Sequence, residues 1–120
     1  MKYALFLFAI FFLSSTCSAR DGTDKISVEN AVSDCIKFKK NQLEFVSNIV
    51  VLDTTWEMIS NIGSCGCKSA ALKYDVKTTS GHHVSKGYFS TFDRRSFKFV
   101  IDSDKSIYKR SNYTLLVNCG

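Results

Sequence analysis

Leu72-Lys73-Tyr74-Asp75-Val76-Lys77 alternates apolar and charged side chains without a break. Successive side chains of a strand point to opposite faces, so this period of two predicts a β-strand with one buried and one solvated face. The pattern recurs toward the C-terminus. Phe97, Phe99 and Ile101 alternate with Lys98 and Asp102, and Tyr113, Leu115 and Val117 share a parity with Cys119. That parity predicts that the last cysteine faces the core. Residues 84–92 are rich in aromatic and β-branched side chains, which suit a pleated surface. Turn signals separate these runs: Ser80-Gly81, Asp93-Arg94-Arg95 and Ser111-Asn112.

Working back toward the N-terminus, residues 45–52 (FVSNIVVL) read as one central strand. Ile36 and Phe38 alternate with Lys37 and Lys39, which predicts another strand. Val28, Val32, Cys35 and Ile36 also fit a helical stripe that Ser27 could cap, and the strand reading is preferred. Residues 56–62 (WEMISNI) suit a strand or a short helical turn. About six to seven short strands, with turns roughly every ten residues, describe an all-β, immunoglobulin-like antiparallel β-sandwich. The alternative is an α+β domain with an N-terminal helix. The cysteine spacing does not follow the immunoglobulin disulfide pattern. The chain has no proline, so Lys37, Lys39, Lys73 and Lys77 are expected to guard the sheet edges by charge.

Residues 1–19 read as a secretory signal peptide. Lys2 supplies the positive start, residues 3–13 (YALFLFAIFFL) an apolar core, and Cys17-Ser18-Ala19 the small residues before cleavage. A bilayer span takes roughly 20 apolar residues, so this run predicts no stable membrane span. Lipidation of Cys17 is the minor alternative, disfavoured by Ser14 and Thr16. Residues 20–120 then form a single domain, periplasmic or secreted. The formal charge of the whole chain is +5, and its Lys and Arg are scattered among Asp and Glu. No concentrated basic stretch interleaved with aromatics is present, which argues against nucleic acid as a partner.

Cys35, Cys65, Cys67 and Cys119 remain after cleavage, and an even count in an oxidising compartment reads as two disulfides. Pairing Cys65 with Cys67 would close a very small ring and ranks last. The other two pairings stay open. The competing reading is metal: Cys65 and Cys67 as thiolates, joined by His82 and His83, would suit copper or zinc. Zinc sites usually separate paired cysteines by two to four residues, which this pair does not. A redox role would want Cys-x-x-Cys at a helix start. Neither Gly-x-Ser-x-Gly nor a paired-carboxylate motif is present. Asp102 and Asp104 read as loop solvation, too few to claim calcium.

The segment Ser64-Cys65-Gly66-Cys67-Lys68-Ser69-Ala70-Ala71-Leu72-Lys73-Tyr74 resembles part of a family of small exported bacterial proteins of unknown function. The resemblance implies a bacterial periplasmic home and brings no activity or site residues. Asn112-Tyr113-Thr114 matches the glycosylation triplet, which matters only in a eukaryotic host. Tyr88, Phe89, Phe92 and Phe97 are expected in the core, with an exposed binding patch formed by some of them as the alternative, and Trp56, beside two threonines, is the expected exposed binding anchor. The function expected is binding, most readily to another protein as an adaptor, inhibitor or immunity protein, without catalysis or cofactor.

Overall fold

The computed structural model describes residues 25–120, and the signal-peptide and Cys17 readings lie outside them. Seven strands are present among the described residues: β1 (Ile26–Asn30), β2 (Ile36–Val46), β3 (Ile49–Met58), β4 (Ala71–Thr78), β5 (His83–Ser90), β6 (Ser96–Asp102) and β7 (Tyr113–Cys119). One helical turn, α1 (Lys105–Tyr108), lies between β6 and β7. The strands form two sheets, β1-β7-β4-β5 and β2-β3-β6, which pack as an all-β sandwich. The strand order is not that of immunoglobulin domains. There the second and third strands lie in different sheets, whereas here β2 and β3 are hairpin partners. All pairings are antiparallel except β1 with β7. These two come from opposite ends of the domain, so a long connection joins them, as a parallel pair requires.

The alternating runs bury the faces that the period of two assigns. Leu72, Val76, Phe99, Ile101, Leu115 and Val117 are fully buried, and they come from both sheets. Tyr74, Phe89, Phe97 and Phe99 pack as an aromatic cluster with ring centroids as close as 4.8 Å for Phe97 and Phe99. Each such edge contact adds about 0.5–1.5 kcal/mol beyond the burial of its area. The sheets approach each other along β5 and β6, where the Ser85 hydroxyl donates to the Val100 carbonyl at 2.7 Å.

Three local readings are corrected. Residues 45–52 are not one strand but the tip of the β2–β3 hairpin, with Val46 directly opposite Ile49. Ser47 adopts φ 56°, and it alone of the two turn residues has positive φ, the pattern of a type II′ turn. A turn of this kind needs two residues between paired strands, which an apolar run hides. The helical stripe at Val32, Cys35 and Ile36 is one turn and no more. Asn30 redirects the chain by accepting from the Val32 amide and donating to the Ile36 carbonyl. Finally, Lys37 and Lys39 do lie on an edge strand, β2, but Lys73 and Lys77 lie on β4, which is paired on both sides.

Candidate functional site at the disulfide end

Two disulfides close the end of the sandwich where β3 passes to β4. Cys35 is bonded to Cys65 and Cys67 to Cys119. Between β3 and β4 the chain makes a short 3-10 turn, Ile62–Cys65, capped by the Asn61 side chain, which accepts from the Gly63 amide at 2.8 Å. Gly66 leaves that turn at φ 85°, a conformation that favours glycine, and so lets Cys65 and Cys67 bridge in different directions. Cys65 reaches the β1–β2 turn, and Cys67 reaches the end of β7.

This framework fixes a groove of about 310 Å³. Met58, Ile59, Ile62, Ala70, Phe92 and Arg95 supply most of its wall, with Ser60, Asn61 and Thr91 as polar members. One wall is held by the amides of Ile59 and Ser60, which donate to the Cys35 carbonyl at 2.7 and 3.3 Å. The other is the β5–β6 loop. Both the amide and the hydroxyl of Thr91 donate to the Ala70 carbonyl at 2.9 Å. The Phe92 amide donates to the Ser90 hydroxyl, and the Arg95 guanidinium donates to the Thr91 carbonyl at 2.8 Å. The Arg95 carbonyl in turn accepts from the Trp56 amide at 2.9 Å.

Held in this way, Phe92 is 82% exposed and Ile59 56% exposed. An apolar side chain kept in water on a pinned loop lowers solubility and has little freedom left to lose on contact. Sequence reading placed Phe92 and Tyr88 in the core. The structure places both outside, since Phe89 and Thr91 take the inward parity of β5 and leave residues 88, 90 and 92 facing water. Strict application of the period of two to this run finds Phe92.

The domain belongs to a defined family. The profile of an uncharacterized protein family conserved in bacteria (DUF2195) matches residues 10–120. The chain is a DUF2195 protein. No curated protein and no solved structure matches it. The disulfides of this DUF2195 chain are compatible with a location outside the cytoplasm. No helix among the described residues is long and apolar enough to cross a membrane.

The other sequence-derived site residues fall elsewhere. Trp56 is corrected from exposed anchor to core: it is 3% exposed and packs edge-on against Phe38 and Phe89. Its place on β3 opposite Phe38 turns the indole inward. The proposed copper or zinc set is not assembled, because both cysteines are bonded to sulfur. His82 and His83 stand at the far end of β4, whose eight residues extend about 25 Å. His83 contacts Asp75 at 3.0 Å instead, and no group of three or more possible metal ligands occurs among the described residues.

Asp102 is not loop solvation. It is buried and accepts from the Tyr113 hydroxyl at 2.5 Å and from the Asp104 amide at 2.9 Å. Burial first, and this hydrogen bond second, push the Tyr113 phenol well above its usual pKa. Asp104 caps α1 through the amide and hydroxyl of Ser106, and these bonds hold its carboxyl below the usual range. In a bacterial family Asn112 serves as a turn residue, its carbonyl accepting from the Thr79 amide.

Proposed function

We propose that the protein is an exported, non-catalytic binding domain that takes an extended segment of another envelope or secreted protein into the Phe92 groove. Residues 1–19 act as a cleaved signal peptide, and the product works in the periplasm or outside the cell. The observation that carries this reading is Phe92, 82% exposed at the rim of a groove whose walls are tied by hydrogen bonds and two disulfides. Binding hot spots are enriched in aromatic and arginine side chains that a partner can cover, and Phe92 and Arg95 supply one of each on a preformed surface. The segment bound would place an apolar side chain between Ile59 and Phe92 and an acceptor near Arg95.

A photo-crosslinking residue at position 92, activated in the bacterial envelope, tests this reading. One discrete protein adduct is expected, lost on Ile59→Asp while the circular dichroism of the domain is unchanged. Absence of an adduct, or an adduct indifferent to Ile59→Asp, would reject the groove. Intact mass under non-reducing alkylation tests export. A chain starting at Arg20 with no alkylated thiol is expected, and a retained leader would reject it.

A further inference from the structure

The opposite end of the sandwich carries a second unexplained apolar surface. At the β2–β3 tip, Val46 and Ile49 face each other on the outer side of the hairpin and are 56% and 41% exposed. Phe45 points to the other side, where its register partner Val50 is buried, yet it remains 48% exposed. A hairpin in water needs one apolar face, for the core. This tip is apolar on both. Ile107 of α1, 43% exposed, adds to it beside Tyr108, whose ring meets Phe45 at 6.0 Å.

Two cations lie over the rings of this end. Lys105 lies over the Phe45 ring at 4.8 Å, and Lys25 lies over the Tyr108 ring at 4.7 Å while donating to the Tyr108 carbonyl. Lys109 and Arg110 follow on the same turn and are exposed. Of the carboxylates beside the tip, Asp104 is tied to Ser106, and Asp102 is buried and bonded to Tyr113. Glu44 is paired with Lys98 at 3.0 Å.

We infer that this end docks on an anionic phospholipid bilayer, with Phe45, Val46, Ile49 and Ile107 entering the interface and Lys25, Lys105, Lys109 and Arg110 meeting the phosphates. Apolar side chains ringed by Lys and Arg are what interfacial binding requires, since burial and charge attraction act together. The site is separate from the Phe92 groove and leaves that end free for a protein partner.

The test is partition of the exported chain onto vesicles of phosphatidylcholine with about 30 mol% phosphatidylglycerol, compared with pure phosphatidylcholine. Binding to the anionic vesicles alone is expected, falling steeply as salt rises from about 0.1 M to about 0.5 M. Lys105→Gln with Lys109→Gln should weaken partition about twenty-five-fold, at about fivefold per cation. Phe45→Ser with Ile49→Ser should abolish it, and Phe92→Ser should leave it unchanged. Phe45→Trp reports insertion directly, through quenching by brominated lipid, whether or not the serine variant folds. Equal binding to neutral vesicles, no binding, or indifference to the lysine variant overturns the inference. So does a concentration-dependent dimer lost in the serine variant, which would make a second copy the occupant.

Discussion

At one end of the sandwich two disulfides and a run of backbone hydrogen bonds hold Ile59 and Phe92 in position; at the other, Phe45, Val46 and Ile49 rest on a hairpin tip with no covalent tie. The contrast lies in what supports the exposed apolar groups. The Phe92 loop is anchored through Thr91 and Arg95 to neighbouring carbonyls, so its shape is set before contact. The tip is supported by stacked and edge-on rings and by cations over them. Rigid support suits recognition of one partner shape, because ordering costs are met on folding. A bilayer offers no fixed shape, so cations beside exposed apolar groups would suffice.

The comparison is broken most severely at the disulfides. Replacing Cys67 and Cys119 by alanine should cost about 4 kcal/mol in urea denaturation, and replacing Cys35 and Cys65 slightly less. The bridges span 52 and 30 residues, and the longer loop loses more entropy in the unfolded chain. Equal stability with and without the bridges would erase the distinction between the ends.

At the tip end the largest single effect should come from Tyr113→Phe. It leaves the buried Asp102 carboxylate short of a donor, at a cost of about 2 kcal/mol in the same assay. The pH dependence sharpens this. The phenol of Tyr113 titrates higher in the folded than in the unfolded chain. Its contribution is therefore complete below the ordinary tyrosine pKa of about 10 and is lost as pH rises beyond it. Melting curves should show that alkaline loss in the parent and a weaker one in Tyr113→Phe. The smallest stability effect belongs to Phe92→Ser, within about 0.5 kcal/mol because the ring is in water.

Much of the sandwich was legible in the chain. Strands β4, β6 and β7 follow from strict alternation, and Cys119 shares the side that bonds to Cys67. The β2–β3 turn was not legible, because Ser47 and Asn48 sit between apolar residues on both sides and nothing marks the break. Trp56 misled because flanking threonines suggest solvent, whereas Thr54 is itself buried and donates to the Phe97 carbonyl at 3.0 Å. Asp102 misled for a similar reason: its partner Tyr113 lies across a loop, and a carboxylate in a polar stretch does not announce a buried donor.

The sequence by itself determined the class: a small, cysteine-stapled β domain whose alternating runs must bury one face, since period-two patterns have no other way to remove their apolar side chains from water. Tertiary structure decided the rest. It chose Cys35–Cys65 and Cys67–Cys119 from the open pairings, because only the course of the strands brings those sulfurs together. It separated His82 and His83 from the cysteines by the length of β4. It also brought Lys25 to Tyr108, on the turn that carries Lys105, Lys109 and Arg110, and set that turn against Phe45 of the hairpin tip. Charge and exposure become surfaces only when distant segments meet, and that is set by packing between strands rather than by any local run of residues.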